Sequence, residues 1–203
     1  MPRPRSLTTD DLAAAALTVI DRDGLSALTM RSVAKELRMA TMALYRYVTD
    51  RDQLEILVAN RILDPLDVSI PPNPDWRERA AILLDRVRVT ASAHPAAIPL
   101  TLKHRQASPP TMHWIEAMLT VLTHAGFTGR DRVVAQRTMI DFLLGFLQNE
   151  HYASITGYGT ATLAQAPGDE FPLLAQTATE AHTMSADDEF HSGVAVILRG
   201  LAP

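Results

Sequence analysis

Apolar residues recur at spacings of three and four along almost the whole chain, and alternating β-branched runs bounded by turn signals are missing. The pattern predicts an all-α fold. Leu12, Ala16, Val19 and Ile20 make one helical stripe, opened by Thr8 or Thr9 as N-cap with Asp10 and Asp11 at the positive end, and closed by a left-handed turn at Gly24. A second helix is expected after Thr29, carrying Met30, Val33, Ala34 and Leu37 inward. A third is expected over Thr41 to Val48, with Leu44 and Val48 on one side and Tyr45 on an adjacent face. Asp50 and Gln53 have the spacing of a capping box opening a fourth helix, from Gln53 to about Leu63. None of the first three can bury a core alone, so they should pack as a three-helix unit braced by the fourth, the arrangement of a helix-turn-helix.

Pro65 to Pro74, with Pro71, Pro72 and Pro74 close together, cannot continue a helix and reads as a junction. It divides the chain into residues 1–64, with an arm at 1–8, and residues 65–203. Beyond it, helices are expected at Trp76 to Ala93, Ile98 to His104, Pro110 to Ala125, Asp131 to Tyr152 and Asp187 to Leu201. The Gly-, Ala- and Thr-rich stretch Thr156 to Asp169 reads as a flexible loop, followed by a short helix at Pro172 to Ala178.

Composition narrows the classes. At 203 residues and 47% hydrophobic, the chain can build a packed core without metals or disulfides, and it has no cysteine for thiolate chemistry. No apolar stretch is long enough to span a membrane and the start lacks a secretory signal, so a cytoplasmic protein with no membrane partner is expected. The net charge of -4 argues against nucleic acid only on average. Residues 1–63 hold nine Lys/Arg against eight Asp/Glu, and residues 64–203 ten against fifteen. Within Leu28 to Arg51, Arg31, Lys35, Arg38, Arg46 and Arg51 face only Glu36 and Asp50. That is either a DNA-facing patch or an ordinary solvated helix face. The seven histidines make no metal-binding spacing, and no phosphate loop or nucleophile elbow is present. Neither a catalytic residue, a metal nor a cofactor is therefore expected.

The segment from Leu28 to Leu54, with its Thr29-capped helix, Ala-Leu-Tyr-Arg-Tyr-Val at 43 to 48 and Arg51 at the start of helix four, resembles the DNA-binding domain of the TetR family of bacterial regulators. A weaker likeness continues in Asp75-Trp-Arg-Glu, His94-Pro95, Ala125-Gly-Phe127, Leu144-Gly-Phe146 and Asp188-Glu-Phe-His-Ser-Gly193, similar to the C-terminal domain of the tetracycline-repressor branch. The resemblance implies a homodimeric regulator, usually a repressor, that binds a palindromic double-stranded operator and is released by a small-molecule effector.

For DNA contacts it points to Thr29, Arg31, Thr41, Met42, Tyr45, Arg46, Tyr47 and Arg51. Thr29 suits a phosphate oxygen or is a plain cap. Arg31 carries the planar fork that matches guanine O6 and N7 or a phosphate. Thr41 and Met42 open the recognition helix where base edges, the thymine methyl above all, would meet them. Of Tyr45 and Tyr47, one can touch a base while the other reaches phosphate, and either can instead be half-buried core. Arg46 suits a phosphate or solvent. Two positions depart from the family pattern: Arg38 stands where the turn usually has Gly, and Ala40 where Ser or Thr usually caps the recognition helix. Either Arg38 takes a left-handed backbone or the turn differs, and Ala40 forgoes a cap unless Thr41 supplies one. The arm Pro2-Arg-Pro-Arg5 either enters a flanking minor groove or stays disordered.

In residues 65–203 a largely apolar effector pocket is expected from Leu83, Val87, Leu102, Trp114, Met118, Phe142, Phe146 and Asn149, whose helical spacing also fits plain core. Dimerisation is expected through Asp131 to Tyr152 and Asp187 to Leu201, as a four-helix bundle with their symmetry mates. The competing reading is a small all-α enzyme or metabolite carrier using that pocket, with Glu150 and His151 as nearest candidates. A third is an interaction adaptor that has lost DNA binding.

Overall fold

The protein is described by a computed structural model covering residues 7–70, 72 and 75–203. The arm Pro2-Arg-Pro-Arg5 and, in the junction, Pro71 and Pro74 lie outside the described residues. Those residues form helices and turns with no strand among them: α1 (Thr9–Asp23), α2 (Met30–Glu36), α3 (Thr41–Leu44), α4 (Arg51–Leu63), α5 (Trp76–Ser92), α6 (Ile98–His104), α7 (Pro109–His124), α8 (Gly129–Tyr152), α9 (Tyr158–Ala164), α10 (Pro172–Ala181) and α11 (Ala186–Gly200). They divide into two compact units, one comprising the chain up to Val68 with Val89–Ile115, the other Ser69–Arg88 with Glu116–Pro203. The first unit thus takes in a segment well past the proline-rich junction. The reason is apolar: Ala97 and Leu100 are buried in the same cluster as Leu12, Ile20, Val33, Leu44, Leu54 and Val58, and α6 packs on α4.

Local capping explains where α1, α2 and α4 start. Thr8 accepts from the Asp11 N–H at 3.2 Å while Asp11 accepts from the Thr8 N–H at 2.8 Å, a reciprocal box. Thr29 and Ser32 repeat that exchange at 3.0 and 2.9 Å, a box visible only once serine is admitted at the third position. At α4 the Gln53 N–H donates to Asp50 Oδ1 at 2.8 Å, but the Gln53 side chain accepts from the Thr49 N–H, one residue earlier than a box requires.

Two expectations change. The third helix is one turn, Thr41–Leu44, instead of reaching Val48. Tyr45 to Tyr47 form a turn, because Val48 must bury (2% exposed) while Asp50 adopts the extended backbone that caps α4. The stretch expected as a loop from Thr156 to Asp169 contains α9, which packs against α10. Gly157 permits its start: a Cβ there would come 2.9 Å from the Ser154 carbonyl oxygen, and the Gly157 N–H donates to that oxygen at 2.7 Å.

The second unit is closed by aromatic packing between α8 and α11. Phe190 lies 4.9 Å from Phe146 and 5.8 Å from Phe142, centroid to centroid. Gly193 admits Phe142, whose ring would stand 2.6 Å from any Cβ at that position.

Candidate nucleic-acid interface

The α2–α3 pair rests on a dry base. Leu28, Val33 and Leu44 are fully buried, and Ala34 and Val48 nearly so. Above that base the residues of the turn decide which side chains face outward. Arg38 sits at φ 55, the left-handed region. Its N–H donates to the Lys35 carbonyl at 3.1 Å and the next N–H, of Met39, reaches back to Ala34 at 2.9 Å, the paired bonds of a Schellman ending. Met39 then packs on the core cluster. The turn therefore keeps its geometry with arginine in a glycine position, at a strain of about 1 kcal/mol. Ala40 is the N-cap of α3 and no side chain caps that helix start, so Thr41 does not substitute for the missing hydroxyl.

On this scaffold Met42 is 76% and Tyr45 47% exposed, and Thr41 is half-buried beside them. Positions 41, 42 and 45 share one side of a single turn, so their side chains project together. Arg31, Lys35, Arg38 and Arg46 are exposed. Tyr47 is half-buried and packed against the core, which separates its role from that of Tyr45. The Thr29 hydroxyl is committed within its capping box, accepting from Ser32 N–H and donating to Ser32 Oγ at 3.0 Å. Arg51 donates from Nε to Glu55 at 2.8 Å with its side chain about half exposed.

The apolar positions expected to line a pocket do not form one group. Leu102 and Trp114 belong to the first unit; Leu83, Val87, Met118, Phe142, Phe146 and Asn149 belong to the second. Leu83, Met118, Trp114 and Phe146 are buried, Val87, Leu102 and Phe142 half-buried, and Asn149 exposed. Phe142 and Phe146 meet at 6.2 Å in the α8–α11 seam. Sequence reasoning passed over the centre of that seam. Phe190 is fully buried there, and the Arg88 guanidinium lies 4.9 Å from its ring centroid, ion-paired to Asp85 at 3.0 Å and Asp187 at 2.8 Å. Nearby, burial and the Glu150 carboxylate push the Glu189 carboxyl up.

A three-helix core presenting a short, outward-facing helix beside exposed cations, with a capped partner helix below it, defines a helix-turn-helix DNA-binding protein. Residues 6–55 match the family model described as bacterial regulatory proteins, tetR family, and residues 70–203 match that of the tetracyclin repressor-like C-terminal domain. The chain belongs to the tetR family of bacterial regulatory proteins.

Among curated relatives, it is 30% identical over 202 residues to the tetracycline repressor protein class A from transposon 1721 of Escherichia coli, covering 93% of this chain and 87% of that one. It is 26% identical over 144 residues to an HTH-type transcriptional regulator of Saccharopolyspora erythraea, covering 71% of this chain and 61% of that longer protein. A crystal structure of the Streptomyces coelicolor TetR family protein ActR in complex with (S)-DNPA superposes with a TM-score of 0.81 at 25% identity, covering 96% of each chain. Among the described residues, no helix is long and apolar enough to cross a membrane.

Proposed function

We propose that this protein is a homodimeric repressor that binds a palindromic operator through Thr41, Met42 and Tyr45 and is released by a small, largely apolar effector. The observation that carries the reading is the outward side shared by half-buried Thr41 and exposed Met42 on α3 and exposed Tyr45 at its C-cap, flanked by exposed Arg31 and Arg46, in a chain of the tetR family. Exposed methionine and tyrosine on a one-turn helix have no core to serve. They offer apolar contact to a thymine methyl and an aromatic edge to a base. Arg31 and Arg46 supply phosphate neutralisation, and Tyr47, held by packing, offers its hydroxyl to the backbone. Arg51 and the Thr29 helix start would complete the phosphate contacts.

Residues 1–64 are assigned to DNA binding and 65–203 to effector binding and dimerisation. Dimerisation through α8 and α11 is supported by the apolar side chains they expose, Val133, Val134 and Val196, each at least half exposed. Two copies related by a two-fold axis would set their α3 helices about 34 Å apart, one turn of B-DNA. An effector acts by favouring a dimer geometry whose spacing misses that repeat. The complex of ActR with (S)-DNPA supports assigning a small-molecule effector here, with Leu83, Val87, Met118, Phe142, Phe146 and Asn149 of the second unit as its candidate contacts.

Selection of bound DNA from a random-sequence pool tests the reading. A two-fold symmetric site is expected, with affinity falling on the order of 10³-fold between about 50 and 200 mM salt as counterions are released. Failure to enrich any symmetric sequence, or a flat salt response, would overturn it.

A further inference from the structure

The seam between α4 and α6 holds charge where a helix–helix contact is normally apolar. Glu55, on α4, is 5% exposed, and His104, at the end of α6, is 7% exposed. His104 Nε2 lies 3.0 Å from Glu55 Oε2 and 3.9 Å from Asp52 Oδ1. Lys103 Nζ stands between the two carboxylates, 2.7 Å from Glu55 and 2.9 Å from Asp52. The other Glu55 oxygen accepts from Arg51 at 2.8 Å, which fixes the carboxylate plane and turns Oε2 toward the seam. Burial pushes the Glu55 carboxyl up, and the hydrogen bonds from Lys103, His104 and Arg51 more than offset it, bringing it to about 2.

We propose that Asp52, Glu55 and His104 form a divalent-metal site, suited to Zn²⁺, in which the metal displaces the Lys103 ammonium and ties α4 to α6. Among the described residues this is the one grouping of three such side chains whose donor atoms converge, all within 4.8 Å of one another. One imidazole nitrogen with two carboxylate oxygens is a donor set zinc accepts, leaving a fourth position for water. Tetrahedral zinc needs its ligand atoms roughly 3.3–3.5 Å apart, so the site must contract by about 1 Å. Asp52 supplies that movement, because its side chain is 62% exposed and held only at the surface. The two buried ligands, 3.0 Å apart, need to open by only about 0.4 Å, and Arg51 orients one of them from the far side of its carboxylate. Lys103, 54% exposed on a flexible stem, can leave the seam for water when the metal enters.

Zn²⁺ itself, as the chloride, is the probe. It is titrated into the full-length, tag-free dimer at neutral pH against a chromogenic chelator. One ion per chain is expected. Asp52→Asn and His104→Gln should each weaken binding at least ~10-fold, and Lys103→Ala should tighten it several-fold by removing the competing ammonium. Circular dichroism establishes that each variant is folded, and Asp52→Asn, at an exposed position, decides the matter if His104→Gln is not. Absence of binding to both wild type and Lys103→Ala overturns the proposal. So does wild-type affinity in Asp52→Asn, which would put the ion on other histidines, or a Lys103→Ala variant that binds no tighter.

Discussion

The outer face of α3 and the α4–α6 seam lie in the same unit and use opposite physics. At α3, the side chains proposed to meet DNA project outward beside buried neighbours: Leu44 is fully buried while Tyr45 next to it is 47% exposed. At the seam, the polar groups Glu55 and His104 are themselves buried, and they partner each other across about fifty positions of chain. The first surface separates folding from recognition residue by residue. The second merges them at Glu55 and His104, where a change touches binding and stability together. Arg51 belongs to both, since one end of its guanidinium serves Glu55 while its exposed side faces the solvent at the start of α4.

The sharpest test of that contrast is Glu55→Ala in metal-free buffer. It leaves His104 buried without its carboxylate and should cost roughly 2–4 kcal/mol in thermal or urea unfolding, below the fully buried range because Arg51 and Lys103 are half exposed and can resolvate. A loss under about 0.5 kcal/mol would mean the seam is not a structural contact. Tyr45→Ala should do the reverse, weakening operator binding by roughly 1–3 kcal/mol with unfolding and dimer mass unchanged. Equal operator affinity would remove Tyr45 from the interface.

Smaller effects probe the turn that aims α3. Ala40→Ser restores a hydroxyl at an uncapped helix start with extended backbone, and a gain of about 1 kcal/mol in unfolding free energy is expected. Arg38→Gly relieves left-handed strain of about 1 kcal/mol but admits a freer unfolded chain, so a net gain of only about 0.5 kcal/mol is expected, with some loss of operator affinity from the missing charge. Clear destabilisation by Arg38→Gly would show that the arginine side chain, and not its backbone, holds the turn.

What was legible in the sequence follows the range of the interactions. The all-α class, the caps at Thr8, Thr29 and Asp50, and the boundaries of α1, α2 and α6 rest on bonds within one helical turn, so residue type and spacing report them directly. Short range failed in two places. Leucine and valine at positions 44 and 48 fit helical spacing and predict a helix to Val48, although Val48 is buried just after the turn at Tyr45–Tyr47. Gly157, Gly159 and the threonines around them read as a loop because propensity does not register that α10 packs against α9.

The sequence by itself determined that this is an all-helical tetR-family chain with a capped α2 and a cationic turn. Tertiary structure alone decided the left-handed Arg38, the separation of Tyr45 from Tyr47, the Phe142–Phe146–Phe190 seam and the convergence of Asp52, Glu55 and His104. The physical reason is that caps and amphipathic stripes are satisfied by neighbours along the chain, whereas a buried charge or ring is satisfied by whatever the fold brings against it.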